Sequence, residues 1–143
     1  MSQPWLTDPV RLKEYVATMA KTIAVDFDGV LHPYTDGWLG SVPADEPPIP
    51  GALRFLGDLQ EQGYEVIVFS TRADHPEGLD GIYAWLAEYG LDTYVKHVTH
   101  VKPPAIAYVD DRAVPFTGSW GAVIDGIDRL SRSRAHGAGH QPA

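Results

Sequence analysis

The chain has 143 residues, 44% of them hydrophobic, and a net charge of -8. That size and apolar content suit one compact domain, and the acidic balance argues against broad nucleic-acid binding, which rests on Lys and Arg contacts to phosphates. There is no cysteine, which excludes disulfides, thiolate metal sites and a cysteine nucleophile, and no apolar run approaches the roughly 20 residues that span a bilayer.

Met1 to Tyr15 lack the basic-then-apolar pattern of a secretory signal, so a cytoplasmic location and no membrane partner are expected. The stretch "TDPVRLKEYVATMA" predicts a leading helix, with Thr7 or Asp8 as cap and Pro9 at the first helical position. Leu12, Tyr15, Val16 and Met19 share one of its faces. Thr22 to Val25 read as the first core strand, and Asp26 and Asp28 follow at once around Phe27. Residues 32–50 are rich in Pro, Gly and Asp and predict a structured flap. Gly51 to Gly63 predict a helix with Leu53, Leu56 and Leu59 aligned and Gly63 as its stop.

Glu65 to Phe69 are a β-branched-rich strand. Pro76 to Gly90 predict an amphipathic helix with Leu79, Ile82, Tyr83 and Leu86 inward. Thr93 to Val101 and Ala105 to Val109 read as two more strands, and Ala113 to Phe116 as a short edge strand in which Pro115 is tolerated. Ser119 to Leu130 predict a closing helix with Val123, Ile124, Ile127 and Leu130 inward, and Trp85 and Trp120 read as core or part-core residues. The organisation expected is an N-terminal helical extension (1–20), one domain (21–130) and a mobile polar tail (131–143).

Strands alternating with helices of this length predict a three-layer, doubly wound α/β fold with a parallel sheet. In such sheets ligands bind at the carboxyl ends of the strands. Here the apolar runs end in Asp26 and Asp28, in Ser70-Thr71-Arg72, in Lys102, and in Asp110-Asp111-Arg112. Two carboxylates about 4 Å apart repel by roughly 4 kcal/mol at an effective dielectric near 20. Four acids in one crevice therefore call for a cation, and carboxylate oxygens with room for water are what Mg²⁺ selects. Gly29 permits a bend that brings Asp26 and Asp28 towards one ligand.

These residues resemble the haloacid dehalogenase (HAD) superfamily of phosphatases. Asp26-Phe27-Asp28-Gly29-Val30 matches its D-x-D-x-[TV] motif, Ser70 its Ser/Thr after a strand, Lys102 its lysine, and Asp110-Asp111 its acidic pair, in the family's order. The resemblance implies a Mg²⁺-dependent phosphomonoester hydrolase with Asp26 as nucleophile and Asp28 as general acid and base. It implies Mg²⁺ ligation by Asp26, the Asp28 carbonyl and the acidic pair, with Asp111 favoured for direct contact and Asp110 supporting Lys102. Ser70 and Lys102 would hold the phosphoryl oxygens, and Thr71 is a rival for the place of Ser70. "FSTR" and "VDDR" are similar to the phosphatase domain of polynucleotide kinases, which would make Arg72 a substrate-phosphate contact; the other reading of Arg72, as of Arg112, is a structural partner for the carboxylates. Gly29 and His32, beside the first motif, complete the candidate substrate contacts. The flap stands where larger relatives carry a cap domain.

The substrate expected is a phosphorylated small molecule or nucleotide, with a nucleic-acid end as the alternative. A phosphoacceptor switch like a response-regulator receiver has the acidic pair first and the phosphorylated Asp later, the reverse of the order here. A phosphate-binding protein without turnover is the third class, and the complete motif set argues against it.

Overall fold

The computed structural model describes residues 8–136. Helix α1 (Pro9–Ala20) starts where the Asp8 carboxylate accepts the Val10 N–H, with Pro9 in the first turn. Strand β1 (Thr22–Asp26), helix α2 (Ala52–Glu61), strand β2 (Glu65–Phe69) and helix α3 (Pro76–Glu88) follow. Strands β3 (Val95–Thr99) and β4 (Ala107–Val109) and helix α4 (Trp120–His136) complete the order. Single 3₁₀ turns, Thr71–Asp74 and Asp92–Tyr94, precede α3 and β3. No helix among the described residues is long and apolar enough to cross a membrane.

The chain is α/β with one four-stranded, all-parallel sheet in the order β3-β2-β1-β4. Ile23 and Val25 of β1 lie beside Val66 and Val68 of β2, and Val68 beside Val98 of β3, so these side chains share one face. Leu56 of α2 and Ile82, Trp85 and Leu86 of α3 close over that face to make the core. The chain moves outward from β1 through β2 to β3, then returns to place β4 on the other side of β1. The topological switch point is therefore the crevice between β1 and β4.

Several expectations need correction. Ala113 to Phe116 form no strand; this segment packs on α4, where a Cβ on Gly126 would come within 2.8 Å of Val114. Ser131 to His136, expected in the tail, continue α4. They contain no Gly or Pro, and Asp128 pairs with Arg132 one turn later. The rest of the tail, residues 137–143, lies outside the described residues, as does Thr7.

Tyr83 is exposed and its hydroxyl accepts the Val98 N–H, while Trp85 takes the buried place on α3. Leu53, Leu12, Val16, Ile124 and Ile127 are exposed, and Trp120 is 74% exposed, stacked against Phe116. Periodicity says which residues share a helix face, not whether anything covers it.

Candidate active site

Asp26 is the last residue of β1, and Val25 lies level with Val109 of β4, so Asp110 emerges opposite Asp26 at the switch point. One carboxylate oxygen each from Asp26, Asp110 and Asp111 lies within 4.8 Å of the others. The local chain builds this arrangement. Asp26 Oδ1 accepts the Phe27 N–H at 2.9 Å, and Asp110 Oδ1 accepts the Arg112 N–H at 2.8 Å. Buried Phe27 anchors the turn that follows: its carbonyl accepts N–H groups from Leu31 and His32, each at 3.0 Å.

Gly29 has φ +82, and a Cβ there would lie 2.3 Å from Asp111 Oδ2. The space a side chain would fill is taken by that carboxylate. Glycine is thus required twice, for its backbone angle and for the close approach. The donor set is entirely carboxylate oxygen, which fits a hard cation such as Mg²⁺.

Crowding of like charge changes protonation. Burial first, then the negative charge of Asp110, push the Asp26 carboxyl up to about 8; the Phe27 N–H opposes them, and Asp111 adds a lesser push upward. A raised folded-state pKa means stability fully present below the unfolded value near 4 and lost as pH climbs through about 8. The metal-free protein is therefore expected to lose thermal stability from pH 4 to 8. The loss should shrink in Asp26→Asn, as differential scanning calorimetry across that range would show; identical slopes would contradict it.

Asp28 is 4% exposed and stands apart from the three-carboxylate cluster. Its two oxygens accept the Arg72 Nε–H at 3.0 and 2.9 Å. Burial raises its pKa, and the Arg72 charge and hydrogen bonds pull the other way. Arg72 comes from the 3₁₀ turn after β2, where buried Ser70 caps the turn by accepting the Arg72 N–H. Thr71 is exposed at the same strand end.

Not every predicted group joins this edge. Lys102 lies 4.6 Å from the Tyr108 ring centroid and forms no ion pair among the described residues, so Asp110 does not support it. Pro103, the next residue, is buried, and its carbonyl accepts the Tyr108 hydroxyl, which holds that ring beside the lysine. His32 is buried rather than facing a substrate. Its Nδ1 accepts the Tyr34 N–H at 2.9 Å, which leaves Nε2 to donate to Ala44 O at 2.7 Å. Arg72, 1% exposed, is committed to Asp28 and to the flap carbonyls of Gly40 and Ser41 rather than to an open phosphate position.

The flap is held on α3. Trp85 Nε1 donates to Glu46 O at 2.8 Å, and the Tyr89 hydroxyl donates to Asp45. A Cβ on Gly78 would fall 2.0 Å from Arg72 O and 3.0 Å from Ser41 O, and one on Gly81 would fall 2.9 Å from Pro43 Cδ. These two glycines, one turn apart on α3, make the seat for the flap. Sequence reasoning passed over them, although two glycines inside a helix signal a close backbone approach.

No protein-family model matches this chain, and no curated protein or solved structure matches it either.

Proposed function

We propose that the chain is a Mg²⁺-dependent phosphomonoester hydrolase of the haloacid dehalogenase kind, on a doubly wound frame, acting in the cytoplasm. The observation that carries this reading is the meeting of Asp26, Asp110 and Asp111 at the β1–β4 switch point, with Asp28 two residues along the chain and held separately by Arg72. Groups this far apart in sequence share one crevice, and two acids in different environments suit two different tasks.

Asp26 attacks phosphorus with one carboxylate oxygen, and the bond from phosphorus to the ester oxygen breaks. Asp28, paired with Arg72 in the resting site, takes up a proton from solvent as the anionic ester binds, which its burial-raised pKa favours, and gives that proton to the departing oxygen. Water then attacks the aspartyl-phosphate and passes a proton to Asp28, and the Asp26–phosphorus bond breaks to release inorganic phosphate. The Ser70 hydroxyl, whose oxygen already accepts the Arg72 N–H, keeps its own proton to donate to a phosphoryl oxygen. Asp26, Asp110 and Asp111, and by the family resemblance the Asp28 carbonyl, would hold Mg²⁺, which would supply neutralising charge to the carboxylates and phosphoryl oxygens. Lys102 takes no part in this scheme.

A small phosphomonoester or nucleotide is favoured over a polynucleotide end. The flap carries Asp36, Asp45 and Glu46, and the charge of Arg72 is already balanced by Asp28. A polyanion would meet repulsion with few cations to offset it. The test is hydrolysis of 4-nitrophenyl phosphate by purified protein with millimolar Mg²⁺. Turnover should vanish with a chelator and return with Mg²⁺; turnover indifferent to the chelator would end the Mg²⁺ assignment.

A further inference from the structure

We infer that Arg72 is a positioning residue, which fixes the carboxyl of Asp28 and ties its orientation to the seating of the flap. The inference rests on the phosphatase reading above and adds a part that the reading does not need.

One guanidinium joins three stretches of chain. Nε–H is shared between the two Asp28 oxygens at 3.0 and 2.9 Å. Nη1 donates to Gly40 O at 2.7 Å and to Ser41 O at 3.1 Å. The face of the group is covered by Trp38, whose ring centroid lies 4.6 Å from Cζ, with Tyr34 at 6.0 Å. Arg72 is 1% exposed, so these bonds do not exchange freely with water.

The direction of the bonds matters. A planar fork with fixed N–H vectors sets the plane of the carboxylate it binds; a lysine ammonium is a point charge on a flexible stem and does not. An acid that must meet one particular ester oxygen gains from that restriction, because small misplacements cost large factors in rate. The flap supplies the other end of the restraint. Its carbonyls hold Nη1, and its Ser41 carbonyl rests on α3 at Gly78. A loosened flap would therefore loosen Asp28, although the flap contributes no acid to the reaction.

Leaving-group dependence tests this. 4-Nitrophenolate departs without a proton, whereas the alkoxide of an alkyl phosphate needs one. In Arg72→Lys, kcat/KM, which reports only the steps up to formation of the aspartyl-phosphate and not its hydrolysis, should fall about 100-fold on glycerol 2-phosphate and less than about 10-fold on 4-nitrophenyl phosphate. Asp28→Asn should show the same bias, and the double variant should be no slower on the alkyl ester than Asp28→Asn alone.

A purely architectural arginine would lower both rates alike, and equal losses on the two esters would overturn the inference while leaving the phosphatase reading intact. If Asp26→Asn hydrolyses both esters as fast as the wild type, the reading and the inference fall together. Should Arg72→Lys not fold, Trp38→Ala decides. It uncovers the guanidinium from a ring already 37% exposed, and a loss confined to the alkyl ester supports the inference, whereas no bias refutes it.

Discussion

Replacing Asp26 with asparagine is expected to remove phosphoester hydrolysis, with kcat down on the order of 10⁴-fold or more, as for loss of other covalent nucleophiles. The amide keeps the shape of the side chain but has no anionic oxygen to attack phosphorus. The same substitution should make the metal-free protein more stable near neutral pH. Asp26 is pushed up to about 8 by burial and by Asp110 and Asp111, so the folded state resists its ionisation. An uncharged residue there relieves that conflict. Activity falling while stability rises is the signature of a group placed for chemistry at the expense of the fold. Steady-state rates and melting curves on the same preparation would show both. A variant that keeps its rate, or one that loses rate only because it unfolds, would contradict the account.

Much of this site could be read from the chain because strand ends are legible. "TIAV" and "EVIVF" are short β-branched runs; β2 keeps the bounds of its run, and β1 adds only Asp26 to its own. The parallel arrangement then brings Asp26 and Asp110 level across β1 and β4, although more than half the length of the chain separates them. The carboxylate cluster needs nothing more than strand direction and order.

What lay beyond strand direction was less legible. Arg72 follows its strand, a place that suits a phosphate contact or a partner for the carboxylates alike; its side chain takes the second place, because the flap offers two carbonyls and Asp28 a buried charge. Lys102 sits in a loop between strands, and loop direction is not encoded in periodicity; its ammonium lies over Tyr108. On α3 Trp85 is buried as its reading as a core residue requires, and it is Tyr83 alone that leaves the inward set. The flap presents the Glu46 carbonyl to the indole N–H, and that long-range bond rotates the meaning of "inward" on the helix. The extension of α4 to His136 reflects polar residues that look like a tail by composition yet contain no helix breaker.

Substituting Arg72 by methionine is expected to cost about 3–5 kcal/mol of folding free energy near neutral pH, the usual consequence of leaving one member of a buried ion pair behind. The size of the loss follows from what remains. Asp28 is 4% exposed and has no second ion-pair partner among the described residues. A carboxyl so placed takes up a proton sooner than it stays ionised, so the cost should be smaller at pH 5 than at pH 8. The double variant Asp28→Leu, Arg72→Met removes the stranded charge and should recover most of the loss, since apolar replacement of a buried pair is often neutral. Recovery should nevertheless stop short of wild type. Gly40 O and Ser41 O would each lose a charged donor, and although both residues are only half-buried and water can reach them, a deficit of about 1–2 kcal/mol should persist. Urea unfolding of the three variants measures each step. A single-variant loss below about 1 kcal/mol would mean that the pair is wetter than its geometry implies, with solvent already sharing the work of Arg72.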